Sequence, residues 1–438
     1  MGISSNGAGR VTTFVPPRFR KLVSVFGKIG LLSFGGPAAQ IALMHRVLVD
    51  EQRWLDERRF LSALSFCMLL PGPEAMQLAT YSGWRLHGVR GGLAAGLLFV
   101  LPGAALVLAL SVLYGAYGQT PTIAALFVGV KAAVLAIVLQ ALVRVASRAI
   151  KGRLDWCVAA AAFAAIFFFD LPFPLVVAAA AAAGYFLRSS DVAEQPAEAA
   201  VPVPISATLQ TLAVWLAVWL VPLAAVTAFF GTEHVLAQLA FFFSKLAVVT
   251  FGGAYAVLAY MAQEAVNGFG WLTAGEMLDG LGLAETTNGP LILVTEFVGY
   301  IAALRAGGVA MGILGALVTL WATFAPCFLW IFVGAPYIER LTHAPRLASA
   351  LRTVTAAVVG VIANLSLWFA LHVLFARVNE LHFGPLRLFV PDVASLDVVA
   401  VALSVVALVL IFALRWSIVA TLGVCAAIAL LWLSLAPT

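Results

Sequence analysis

The 438 residues include only 25 basic and 20 acidic side chains, while 63% of positions are hydrophobic, against roughly 45–50% in an ordinary soluble domain. That balance excludes a water-soluble globule of this length and predicts an all-α polytopic membrane protein, because each helical crossing of a bilayer takes about 20 apolar residues. The net charge of +5 is spread over short loops with no aromatic-interleaved patch, which argues against a nucleic-acid partner and fits a positive-inside bias.

Up to Pro16-Pro17 there is no short apolar region followed by a small-residue cleavage site, so no removable signal peptide is expected. Thirteen apolar runs follow, beginning near residues 23, 60, 91, 121, 153, 172, 207, 235, 277, 308, 347, 396 and 416; all are expected to be transmembrane helices. The runs at 153–170 and 172–188 flank Asp170 and Pro172-Phe173-Pro174, which predicts a tight helical hairpin. Residues 189–206 gather proline and acids and read as a flexible linker. Cys67, Cys157, Cys327 and Cys425 lie in apolar runs without a CxxC pair, which fits packing and supports neither a disulfide framework nor a zinc site. With the N-terminus cytoplasmic, fifteen basic residues fall inside and seven outside, namely Arg46, Arg53, Arg58, Arg59, Arg305, Arg377 and Arg387. The segment 50–60 fits that count poorly and reads either as an interfacial amphipathic helix or as a sign that its flanking segments are re-entrant.

A shift of 217 residues superimposes Phe26 on Phe243, Lys28 on Lys245, Ser33 on Thr250, Phe34-Gly35-Gly36 on Phe251-Gly252-Gly253, Trp54-Leu55 on Trp271-Leu272 and Gly72-Pro73 on Gly289-Pro290. After a one-residue gap the match resumes at Gly83/Gly299, Gly91-Gly92/Gly307-Gly308 and Gly96/Gly312. The chain therefore divides into a first repeat (1–188), a linker with one unpaired helix (189–234) and a second repeat (235–438). An odd connector turns the second repeat upside down, the inverted-topology arrangement of many secondary transporters.

Glycine exposes backbone and proline removes a hydrogen bond, so the spans carrying Gly35, Gly36, Gly72, Gly252, Gly253 and Gly289 are expected to be discontinuous near the midplane. Free N–H groups at half-helix starts form an anion site. Lys28 and Lys245 would add positive charge, and Ser33, Gln77, Thr250, Thr286, Thr287 and Asn288 would supply polar contacts or helix caps. Glu74, Glu285 and Glu296 lie near the same breaks, and the repeat is unequal there, since Leu291 faces Glu74 and Met68 faces Glu285. Carboxyls in low dielectric are candidates for proton coupling; pairing with Lys28, Lys245 or Arg85 is the alternative. Lys131 has no counterpart and is expected to pair locally or snorkel. No Walker, GxSxG or HExxH motif and no metal-ligand cluster is present, so neither an enzyme nor a cofactor is expected.

FGGPAAQIALMH (34–45), RWLDERRFLSAL (53–64), CMLLPGPEAMQLATYSGW (67–84) and FVLPG (99–103) carry a family likeness in the first half. TFGGAYAVLAYMAQEAV (250–266), WLTAGEMLDGLGLAETTNGPLILVTEFVGY (271–300) and FAPCFLWIFVGAP (324–336) carry it in the second. Together they resemble the chromate ion transporter (CHR) family, in its long, two-domain form. The resemblance implies export of chromate across the bacterial inner membrane, driven by the proton gradient or the membrane potential, and hence chromate resistance. Sulfate is the natural competitor, and a sulfate or other oxyanion transporter is the alternative. The expected partners are the oxyanion, the lipid bilayer and a second copy of the chain in a homodimer. Asn288-Gly289-Pro290 departs from the family's Pro-Gly-Pro, so the two breaks need not contact the ion alike.

Overall fold

The computed structural model describes residues 16–187, 204–251, 254–338 and 345–435. The chain is almost wholly helical, and six of its helices are long and apolar enough to cross a bilayer, with shorter apolar helices beside them. The first half contains α1 (Phe19–Leu32), α2 (Gly36–His45, continued by a π-turn Arg46–Glu51), α3 (Glu57–Leu69), α4 (Glu74–Tyr117), α5 (Pro121–Ala149), α6 (Arg153–Phe167) and α7 (Phe173–Leu187). A connector α8 (Ile205–Phe230) leads to α9 (Val235–Val249), α10 (Ala254–Gln263, with a π-turn Glu264–Gly268), α11 (Ala274–Thr286) and α12 (Val294–Gly334). Then come α13 (Pro345–Leu374), a β-hairpin of β1 (Val378–Phe383) and β2 (Leu386–Pro391), α14 (Val398–Leu408) and α15 (Ile418–Leu435). The linker expected at 189–206 lies almost entirely outside the described residues.

The shift of 217 carries α3 onto α11 end to end. The two helices start at the same slot by different chemistry. The Asp56 carboxylate accepts from the Arg59 N–H, whereas Thr273 and Glu276 cap one another reciprocally.

Four of the thirteen expected spans are each divided into two short helices that turn back on one another. At about 1.5 Å per residue α1 is roughly 21 Å long and α2 about 15 Å, each short of the ~30 Å core. The chain turns at Ser33–Gly35 and comes back: Trp54, just after α2, lies under Lys21 at the start of α1. Likewise α3 and the first part of α4 return at Pro71–Pro73, and His87 bonds the Pro17 carbonyl at 2.6 Å. Two re-entrant pairs thus replace the first two spans, and α9–α10 with α11 and the start of α12 repeat them. The placement of Arg46, Arg53, Arg58 and Arg59 opposite the N-terminus is corrected by the same geometry: they lie on the face where α1 begins.

Each second re-entrant pair feeds a long crossing through a break, at His87–Gly88 in α4 and at Gly307–Gly308 in α12. The breaks do not match as the sequence shift suggests. A Cβ on Gly83 would overlap the Gly91 carbonyl oxygen, and one on Gly299 would lie 2.7 Å from that of Gly315. Gly91 therefore corresponds to Gly315, and the register past the break is 224. That offset also carries Pro121, which opens α5, onto Pro345, which opens α13.

The long helices interleave the halves. The α6–α7 hairpin breaks at residues 168–172, as Pro172 predicts, and packs on α13; α14 and α15 pack on α5. Glycine makes both approaches close, since a Cβ on Gly360 would overlap the Ala159 carbonyl oxygen and one on Gly129 that of Cys425. The β-hairpin, turning at Gly384 with φ +63°, is an addition to the expected all-α fold. Among the described residues the first half has no equivalent, because residues 150–152 alone join α5 to α6.

Candidate functional site

The re-entrant tips meet across the two halves. Gly72 and Gly289 adopt φ of +118° and +97°, a region costly for residues with a Cβ. This turns the Gly72 N–H onto the Thr250 carbonyl and the Gly289 N–H onto the Ser33 carbonyl, both at 2.9 Å. The accepting residues are shaped by their own hydroxyls, Ser33 Oγ bonding Ile29 O at 2.6 Å and Thr250 Oγ1 bonding Leu246 O. Gln40 Nε2 donates to Gly289 O at 2.5 Å, Gln77 Nε2 to Pro71 O at 2.7 Å, and Asn288 Nδ2 to Gly30 O at 3.1 Å. Thr286 and Thr287 close the end of α11 by bonding Leu283 O and Ala284 O. The predicted polar residues are thus brought together, with these hydroxyls and amides bonded within the protein. The buried Oε1 atoms of Gln40 and Gln77 have no hydrogen-bond partner among the described residues.

The helix starts beside these tips are open. Gly35, with φ +86°, precedes α2 without a side-chain cap, and α4 begins after Pro73 likewise. Gly252 and Gly253, predicted to make the equivalent break, lie outside the described residues. A cavity of about 400 Å³ begins at the start of α2 (Pro37, Ala38) and at Glu74, and runs to His45 near the far end of α2. Its other walls include Tyr255 of α10 and Arg144 and Arg148 of α5. Arg144 donates to Gln140 Oε1 at 3.3 Å, and among the described residues neither arginine has a carboxylate partner. Tyr255 donates to the buried Glu285 at 2.7 Å. The cavity thus joins two guanidinium groups and an uncapped helix start, with Glu74 and the Tyr255–Glu285 pair at its inner end. That arrangement suits a compact oxyanion.

The predicted lysines are elsewhere. Lys28 is exposed in a groove with Arg46 and Glu51, and exposed Lys245 lies 5.6 Å from the Tyr260 ring. Glu296 is fully buried on α12 and neither carboxylate oxygen has a hydrogen-bond partner among the described residues. Lys131 on α5 pairs across the halves, 3.3 Å from Asp279 on α11, which also accepts from Tyr114 at 2.7 Å.

Arg144, Arg148 and Tyr255 are the site residues that the sequence did not single out. A signal existed: Gln140 and Arg144 stand one helical turn apart in an apolar run, and Tyr255 falls where the first repeat has Ala38. Among the described residues no group of three His, Cys, Asp or Glu side chains is placed to hold a metal.

The family profile described as Chromate transporter matches residues 20–185 and 237–431. A chromate transport protein of Pseudomonas aeruginosa is 34% identical over 415 residues, covering 93% of this chain and 94% of its own length. One from Cupriavidus metallidurans is 29% identical over 82% of this chain and 84% of its own. A probable chromate transport protein of Synechococcus elongatus is 30% identical over 79% and 83%. No solved structure matches the chain.

Proposed function

The chain belongs to the chromate transporter family, and from that membership we propose that it exports chromate across the inner membrane as a secondary transporter, with no covalent step. The ion enters the vestibule between α2, α3 and α5, meets Arg144 and Arg148, and reaches the α2 start beneath the re-entrant tips. The observation that carries this reading is the pair of arginines, with no carboxylate in ion-pair contact among the described residues, on the wall of a cavity ending at an uncapped half-helix. A tetrahedral dianion leaves water only for several converging donors, and guanidinium groups with backbone N–H groups are such a set.

The vestibule opens to the cytoplasm. Supporting this, its face gathers Lys21, Arg53, Arg58, Arg59, Lys151 and Arg153, as the positive-inside bias requires. The two repeats, 1–188 and 235–438, lie inverted about the membrane plane, joined by the unpaired helix within 189–234. Alternating access exchanges their roles, driven by the proton gradient or the membrane potential, with Glu74, Glu285 and Glu296 as the proton-handling carboxyls. Everted vesicles test the reading: radiolabelled chromate should accumulate inside them, with sulfate competing weakly. Sulfate uptake indifferent to chromate would replace the substrate, and no oxyanion uptake would overturn the proposal.

A further inference from the structure

The vestibule has a counterpart under the repeat. Moving α2 by 217 and α5 by 224 sends Ala42, His45, Ala141 and Arg144 to Ala259, Ala262, Leu365 and Trp368. Those four residues line a second cavity, but its volume is about 10 Å³ against about 400 Å³. The two lie toward opposite ends of α6. Arg148 of the vestibule falls just before α6 starts, whereas the Arg387 N–H bonds Phe168 O, just past its end, at 2.7 Å.

Two changes fill the second cavity. Trp368 occupies the position of Arg144, and His372, 4.2 Å from it ring to ring, that of Arg148. The β-hairpin contributes Arg387 and Phe389 to its walls. Arg387 is only 6% exposed. Its guanidinium reaches Asp170 in the α6–α7 turn at 2.8 Å and Ile166 O at 3.1 Å. Its Nε stands 3.6 Å from Glu380 and has no hydrogen-bond partner among the described residues. A buried guanidinium with a spare donor therefore stands on the release side, where the repeat itself supplies only Trp and His.

We propose that this small cavity is the release-side oxyanion station, closed in the present conformation, and that Arg387 is its anion-binding group. When the cavity opens, the guanidinium exchanges the Asp170 carboxylate for the oxyanion, and it returns to Asp170 when the ion leaves. The hairpin is then a working part of the pathway, present in one half because the two faces handle the ion at different steps. The assignment rests on the reading that this chain moves an oxyanion by alternating access.

The test measures half-saturating chromate concentrations separately at each face, in right-side-out and everted vesicles carrying the full chain. Arg387→Gln should raise the value at the hairpin face about tenfold, the loss of one charge-assisted contact, and leave the vestibule face unchanged. Arg387→Lys should recover part of the loss. Asp170→Asn, which keeps the arginine and removes its competitor, should lower the hairpin-face value, and it carries the test if Arg387→Gln fails to reach the membrane. Equal changes at both faces, or no change at the hairpin face in either variant, would overturn the assignment. An unaltered chain that moves no chromate would instead overturn the transport reading beneath it.

Discussion

The two re-entrant regions, α1 to the start of α4 and α9 to the start of α12, share a backbone plan but not their polar side chains. Gln40 and Gln77 brace the tips from the first region, where the repeat places Val257 and Val294 in the second. Tyr255, Glu285 and Asn288 belong to the second, facing Ala38, Met68 and Pro71 of the first. What the halves have in common, the left-handed glycines bonded to Ser33 and Thr250, holds the joint. Where they differ, one half presents guanidinium groups and an open helix start while the other presents a bonded Tyr–Glu pair. The shared backbone plan is the scaffold, and the residues proposed to handle the ion lie where the two regions depart from it.

The largest effect should come from the vestibule cations. Replacing Arg144 and Arg148 together by Ala should lower chromate kcat/KM in everted vesicles about a hundredfold, as two charge-assisted contacts are lost; a change below threefold would remove them from the pathway. Next come the joint glycines. Gly72→Ala and Gly289→Ala should each destabilise the detergent-purified protein by about 1–3 kcal/mol, the cost of holding a non-glycine residue in that conformation, as read by thermal unfolding. A large effect at one glycine and none at the other would break the equivalence of the two tips.

Giving the second half the first half's residues, as Tyr255→Ala with Glu285→Met, should leave the fold intact and remove the response of chromate flux to an imposed pH gradient. A response retained in full would place coupling elsewhere, with Glu74 or Glu296 the next carboxyls to replace. Gln40→Val, which matches the second half, should cost about 1–2 kcal/mol for the buried hydrogen bonds to Gly289 O and Ser33 O. The smallest effect is expected from Lys28→Ala and Lys245→Ala, whose exposed ammonium groups stand outside the cavity; a severe transport loss in either would restore them to the site.

Much of this plan was legible in the sequence because the signals were local. Helix caps recur at one slot in both halves, so the shift of 217 predicts α11 from α3 to the residue. Gly-Pro and Gly-Gly announce breaks because backbone freedom and a missing donor act wherever they occur. Hydropathy, however, counts apolar residues without registering direction, so a re-entrant pair reads as a span and Arg58 and Arg59 fall on the wrong face. Gly91-Gly92 looks like the counterpart of the Gly307-Gly308 break, yet it serves close packing against Gly83, and which role a glycine pair takes depends on its neighbours in space. Arg144 stands near a helix end, where a basic residue counts only toward the positive-inside balance. Only the packing of α2, α3 and α10 around it makes a cavity.

The most direct test of a chromate route through the vestibule is protection of a residue at its inner end. A single cysteine placed as Ala38→Cys, with Cys67, Cys157, Cys327 and Cys425 replaced by Ala, should react with a maleimide. Chromate should slow that reaction in proportion to occupancy, and the Arg144→Ala/Arg148→Ala background should abolish the protection. A labelling rate unmoved by chromate in a protein that still transports it would contradict this route.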